Sequence, residues 1–297
     1  MLFDRGMGKM GPIILIDASC DLPLKFVEEN NIPYVGLVCH FKGKDYEDDF
    51  GKTLSYNDFY EGLSEGEFPT TSQVNVFKFM EKFKELIKEN KPIIYIGMSS
   101  GLSGTVNSVK LSSKAIMDEY KGADITVIDT KCSSMGEGIL AYHAFNMAKN
   151  GCSKEEIITW VEENMVKVNH WFIVEDLNYL KRGGRISSTS AIVGTIFNIK
   201  PIIYIMNDGT LKNIIKIRGK KKAERYLLDK FKERVENPEE AIVAITHGNC
   251  LEDALHLEKL LKDEFKVKET IINYLGIGMG AHCGKGMLSL CFIGKVR

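Results

Sequence analysis

Short runs rich in Ile and Val that do not alternate with polar residues constrain this 297-residue chain more than any other feature. In the first half they are Pro12–Asp17, Ile32–Phe41, Pro92–Met98 and Asp124–Asp129. A strand with one face in water alternates apolar and polar side chains, whereas an unbroken apolar strand is covered on both faces, as in a parallel sheet flanked by helices. The stretches between the runs supply such helices. Val76, Phe77, Met80, Phe83, Leu86 and Ile87 recur at helical spacing across Val74–Glu89, and a second helix is expected over Thr105–Tyr120. The first half is therefore expected to be an α/β/α layer around a mostly parallel sheet.

After a helix expected near Lys154–Met165, strand-like runs return at His170–Glu175, Lys200–Met206, Leu211–Ile217, Glu240–Thr246, Glu269–Leu275 and Gly286–Ile293, with Asp208-Gly209 as a hairpin signal. The expected architecture is α/β with two domains: residues 1–165, and a mixed-sheet α/β domain over 166–297. With 39 Lys+Arg against 40 Asp+Glu, no global field recruits nucleic acid or anionic membrane. Seven cysteines without a Cys-x-x-Cys pair suit reduced, buried thiols in a cytoplasmic protein. Met1–Met10 lacks the apolar stretch of a signal peptide, and the apolar run from Ala191 is interrupted by Asn198, Lys200 and Pro201, so neither secretion nor a membrane span is expected.

Three loops follow first-half strands: Asp17-Ala-Ser-Cys-Asp21, Ser99-Ser-Gly-Leu-Ser-Gly-Thr105 and Asp129-Thr-Lys-Cys-Ser-Ser-Met-Gly136. Ligands of parallel α/β sheets collect beyond the carboxyl ends of the strands, so these loops are expected to share one crevice. Ser99–Thr105 joins a buried strand to a helix, and its hydroxyls and the free N–H groups of the helix start suit a carboxylate or phosphate; capping of the helix accounts for the same residues. Thr70-Thr-Ser-Gln73 precedes the next helix with the same two readings. His282 sits in Gly278-Met-Gly-Ala-His-Cys-Gly-Lys-Gly286, expected to be a glycine-rich loop whose backbone passes close to a ligand, although a lone His is commonly structural. Cys283 beside it has no metal-ligand spacing, so no metal is expected. Lys181, Arg182 and Arg185 form either a solvated face or an oxyanion site. Arg218 with Lys220–Lys222, and the acidic Asp45, Glu47, Asp48 and Asp49, are expected on the surface.

Taken together these motifs resemble the DegV family of fatty-acid-binding proteins that serve bacterial fatty-acid kinases. The likeness runs from Ile13 to the end through Asp17…Asp21-Leu22, Thr71-Ser72-Gln73, Ser99–Thr105, Val127-Ile-Asp129 with Ser134-Met-Gly-Glu-Gly138, Asp176-Leu177 to Ser187, and His282. The resemblance implies a two-domain fold enclosing a long-chain fatty acid between the domains, with the carboxylate on Thr71, Ser103 and His282. Asp17, Ser19, Ser72, Ser100, Gly101 and Gly104 are secondary pocket candidates. Arg185 would work with the partner, an ATP-dependent kinase subunit that phosphorylates the carboxylate, while this chain is not catalytic alone. Two positions depart from the family pattern. Ala18 lacks a hydroxyl where Ser is common, and Val74 replaces a proline that would stiffen the first helical turn.

Physical bookkeeping is compatible with that implication. A tail of about 15 methylene and methyl groups at ~0.8 kcal/mol each gives roughly 12 kcal/mol of gross burial before association costs. The rival class is a serine hydrolase with a Ser103/His282/Asp17 triad. Gly101-Leu-Ser-Gly-Thr105 is not the Gly-x-Ser-x-Gly elbow that such enzymes use.

Overall fold

A computed structural model describes residues 11–187 and 198–297. The expectations placed on Met1–Met10 and on the apolar run beginning at Ala191 lie outside the described residues. In the first half the elements are β1 (Ile13–Asp17), α1 (Leu24–Glu29), β2 (Tyr34–Val35), β3 (Val38–Phe41), β4 (Lys44–Glu47), α2 (Tyr56–Ser64), β5 (Thr70–Ser72), α3 (Val76–Leu86), β6 (Ile93–Gly97), α4 (Thr105–Glu119), β7 (Ile125–Asp129), α5 (Ser134–Lys149) and α6 (Lys154–Met165). Four strands form a parallel sheet in the order β2-β1-β6-β7, with Ile13 to Ile16 opposite Ile93 to Ile96. Ile14, Ile16, Ile94 and Ile96 face α5 and α6, while Leu15, Ile93 and Tyr95 face α3 and α4. Both faces are therefore covered, which is why these strands show no polar alternation.

One expected strand of this sheet divides. Only Tyr34–Val35 of the Ile32–Phe41 run pairs with β1; Val38–Phe41 leaves to form a separate antiparallel sheet, β4-β3-β5. The break falls at Gly36, where a Cβ would collide with the carbonyl oxygen of Asp48. β3 and β4 are joined by a tight turn with positive φ at Lys42 and Gly43. The polar composition of β4 hid it, and Thr70–Ser72 is its companion strand rather than the cap of α3, a role Asn75 fills by accepting from the Lys78 N–H at 2.9 Å.

The second half continues with β8 (Val168–Ile173), α7 (Leu177–Arg182), β9 (Ile199–Ile205), β10 (Leu211–Arg218), α8 (Lys220–Arg234), β11 (Ile242–His247), α9 (Leu251–Glu264), β12 (Glu269–Tyr274), α10 (Ile277–Cys283) and β13 (Leu288–Ile293). Its sheet has the order β10-β9-β8-β13-β11-β12, antiparallel except for β11 with β12. The Asp208-Gly209 signal is the β9–β10 hairpin, with Gly209 at φ +83°. Trp171, Ile173, Leu290 and Phe292 face α8 and α9 on one side. On the other, Phe172, Val174 and Ile203 face α7 and α10.

Helix α5 lies between the two sheets: Met135 and Ile139 share a core with Ile16 of the first and with Ala244 and Cys291 of the second. The loop expected at Asp129–Gly136 thus ends inside this helix. Gly138 permits the close approach, since a Cβ there would strike the carbonyl oxygen of Cys20. None of the seven cysteines forms a disulfide. Among the described residues no helix is long and apolar enough to cross a membrane.

Candidate functional site

The inner face of the second sheet and the strand ends of the first enclose a cavity of about 190 Å³, with walls that include Leu37, Met98, Leu102, Phe172, Leu275 and Met287. Of the three loops expected to share a crevice, the second and third reach it through Leu102, Ser103 and Gly104 and through Ser133 and Ser134. The first loop does not line it. Asp17 is fully buried beneath, accepting from Tyr95 Oη at 2.6 Å, the Met98 N–H at 3.2 Å, the Ser19 N–H at 3.1 Å and the Ser19 hydroxyl. These bonds tie the ends of β1 and β6 together, so Asp17 and Ser19 are structural.

Thr71, Ser103, His282 and Arg185 all meet at one wall of the cavity. Thr71 Oγ1 lies 2.7 Å from His282 Nε2, joining residues 211 positions apart in the chain. His282 is not in a loop: it occupies the last turn of α10, and burial with the nearby Arg185 charge holds its pKa down to about 4. The imidazole is therefore neutral at pH 7, with one N–H. Among the described residues His282 Nδ1 is buried without a partner. Leaving a lone pair unpaired there is cheaper than leaving an N–H, so the proton belongs on Nε2, which donates to Thr71 Oγ1. The Thr71 hydroxyl proton is then free to point into the cavity.

The glycines of the 276–280 segment have a reason different from ligand approach. The Gly276 N–H donates to Asp21 Oδ1 at 2.9 Å and the Gly278 N–H to Asp48 Oδ2 at 3.0 Å, while Tyr60 Oη donates to the Leu275 carbonyl at 2.8 Å. A Cβ at Gly276, Gly278 or Gly280 would press within 3 Å of Asp21, Asp48 or Tyr60 respectively. Two carboxyl groups thus hold the N-terminal end of α10 through its backbone N–H groups. Asp48, expected on the surface, is fully buried, and burial raises its pKa to about 7. At the other end of α10 the imidazole abuts Gly183, where any Cβ would overlap the ring.

Ser103 Oγ accepts from the Thr105 N–H at 3.2 Å and lies 2.9 Å from Thr105 Oγ1, so it serves the start of α4 while lining the cavity. Gly104 leaves room for the Gln73 side chain, whose amide donates to Ser108 Oγ at 2.9 Å. Half-buried Arg185 donates to the Leu102 carbonyl at 3.0 Å and to the Gly183 carbonyl. Among the described residues it forms no ion pair, leaving a cation at an apolar cavity wall without a counter-charge. The other secondary candidates turn elsewhere. Ser72, on the opposite face of β5 from Thr71, bonds His40 Nε2 at 2.8 Å. Ser100 accepts from Lys131 Nζ at 2.6 Å on the surface, and Gly101 lies against the backbone of Gly209.

The Ser103/His282/Asp17 triad is not assembled: Asp17 is engaged in the sheet, among the described residues no carboxylate reaches His282 Nδ1, and Ser103 Oγ bonds Thr105. Thr71, Arg185 and His282 also line an outer cleft of about 200 Å³ with Phe68, Tyr179 and Arg182. These three residues thus line both spaces. Arg182 is no freely solvated charge there, its guanidinium stacking 3.6 Å from the Phe68 ring centroid. Among the described residues no group of three or more His, Cys, Asp or Glu side chains is arranged to hold a metal ion.

The family model for DegV matches residues 13–295. The chain belongs to the DegV family. A DegV domain-containing protein of Clostridium perfringens is 41% identical over 285 residues, 96% of this chain and 98% of the relative. Among solved structures, a fatty-acid-binding DegV family protein from Thermus thermophilus superposes with a TM-score of 0.86 at 27% identity, covering 96% of this chain and 100% of its own. DegV of Bacillus subtilis, a fatty acid binding protein, does so with a TM-score of 0.80 at 29% identity, over 97% and 100%. The DegV fold thus accounts for both sheets and for the cavity between them. His170, which lines that cavity, was missed in the sequence because it reads as a strand residue, whereas Ser133 belongs to the third loop expected there.

Proposed function

We propose that this chain binds one long-chain fatty acid in the interdomain cavity and presents its carboxylate to an ATP-dependent kinase subunit. The observation that carries the reading is the wall where the Thr71–His282 pair, Ser103 and Arg185 face a cavity walled largely by Leu, Met and Phe side chains. A carboxylate at that wall accepts from the Thr71 hydroxyl, itself oriented by His282, and from Ser103 once that hydroxyl rotates inward. Arg185 neutralises its charge, since a buried carboxylate without donors is strongly disfavoured. The fatty-acid binding of the Thermus and Bacillus relatives supports the same ligand class.

Phosphorylation at this wall would proceed from the outer cleft. A carboxylate oxygen attacks the terminal phosphorus of ATP, a new O–P bond forms, and ADP leaves; nucleotide, metal and catalytic groups come from the partner. The role of this chain is to hold the oxygen in place and exclude water from the tail. Mass spectrometry of an organic extract of the purified protein tests the binding step, with a long-chain acid expected at near one per chain. A protein that is empty and takes up no long-chain acid refutes it. Acyl-phosphate formation by an added fatty acid kinase subunit, expected with the loaded native chain and absent with the kinase subunit and free fatty acid alone, tests presentation.

A further inference from the structure

The cavity carries a second polar feature besides the Thr71–His282 wall. His170 on β8 lines it at 2% exposure, and among the described residues neither ring nitrogen has a hydrogen-bond partner. Phe172 follows on the same face, ring centroids 5.6 Å apart, and Val174 continues that row toward α7, which ends beside His282. At about 3.3 Å per strand residue, His170 lies roughly 13 Å up the strand from Val174. Ser133 adjoins it in the cavity lining. It occupies the N-cap position of α5 yet makes no side-chain cap bond. Gly136, in the next turn, gives the ring its space: a Cβ there would come 3.0 Å from His170 Nδ1.

Burial holds the imidazole's pKa down to about 3, so the ring is neutral and offers one donor and one acceptor. A plain hydrocarbon tail beside it would leave both unpaired, which an apolar interior penalises. A hydroxyl both donates and accepts, and so does its neighbour Ser133. We propose that the cavity accepts an acyl chain bearing a hydroxyl group, and that His170, with Ser133, selects that chain. The inference rests on the fatty-acid reading above and adds a substrate class to it.

The test uses the delipidated full chain and displacement of a fluorescent fatty acid by palmitic acid or by palmitic acids hydroxylated at successive positions from mid-chain to the methyl end. One net buried hydrogen bond predicts that at least one hydroxylated acid binds about fivefold more tightly than palmitic acid. His170→Leu removes that preference, while His170→Gln, which keeps a donor and an acceptor, retains part of it; melting curves establish that each variant is folded. The inference is overturned if palmitic acid binds the native chain as well as every hydroxylated isomer, the result expected if an ordered water satisfies His170. It is equally overturned if His170→Leu keeps the preference. A native chain that binds neither class of acid refutes the fatty-acid reading itself.

Discussion

Replacing Thr71 by Val keeps the shape of the side chain and deletes one hydroxyl, which makes it the sharpest probe of the head-group wall. In the native chain the hydroxyl accepts from His282 Nε2 across 2.7 Å and presents its proton to the cavity. Two consequences follow from one lost atom. A hydrogen bond to a charged carboxylate contributes about 2 kcal/mol, so the dissociation constant of a long-chain acid should rise about 30-fold. His282 meanwhile keeps a buried N–H with no acceptor, which destabilises the empty protein by about 1–2 kcal/mol, a drop of a few degrees in melting temperature for a chain of this size. Calorimetric titration with palmitic acid measures the first and thermal melting of delipidated protein the second. Thr71→Ser restores both within a few-fold. Thr71→Val with His282→Leu recovers stability, because neither polar partner remains, but not affinity. Binding by Thr71→Val within about threefold of the native chain would refute the relay from His282 through Thr71 to the ligand.

Gly183→Ala should weaken fatty-acid binding as much as His282→Ala, because the new methyl displaces the imidazole while the φ of −67° at this position suits alanine; titration of both variants side by side checks it. Asp48→Asn should gain stability relative to the native chain as pH rises. The Asp48 pKa is raised from 3.8 to about 7 in the folded protein, so its favourable contribution is complete below pH 3.8 and is lost as pH climbs through 7. Melting temperatures of both proteins at pH 5 and pH 8 show whether the difference grows as expected or stays constant. Gly209→Ala should lower the melting temperature by a few degrees, since a Cβ at φ +83° would also strike Ser99 Oγ, which holds the β9–β10 hairpin by donating to the Gly209 carbonyl at 2.9 Å.

The parallel sheet was legible because strands covered on both faces must be apolar throughout, and β1, β6 and β7 fall within the runs that showed it. α3 and α4 were legible for a related reason, their apolar positions following the helical repeat. β4 was not: Lys44–Glu47 lies at a sheet edge with its side chains largely in water, so it carries no apolar pattern. α5 was hidden by Gly136 and Gly138, which weaken a helix in isolation and are needed here for contact with His170 and Cys20. α10 was read as a loop for the same reason. Its glycines let Asp21, Asp48 and Tyr60 approach the backbone, a requirement invisible without the partners.

For the site, the sequence by itself determined which hydroxyl-bearing loops follow buried strands, and the ordered motifs pointed to Thr71, Ser103, His282 and Arg185 together. Local patterning could not say which hydroxyls face the cavity. Thr71 and Ser72 are adjacent and chemically alike, but the two-residue period of β5 sends one to His282 and the other to His40. Nor could it separate Asp17, consumed in tying β1 to β6, from a catalytic carboxylate. Only the tertiary structure decided these, because the pairing of Thr71 with His282 spans 211 residues and exists only once β5 and α10 are fixed against one another. Local sequence sets the propensity of each segment, whereas the direction of a side chain and the charge state of a buried group depend on what the rest of the chain brings beside it.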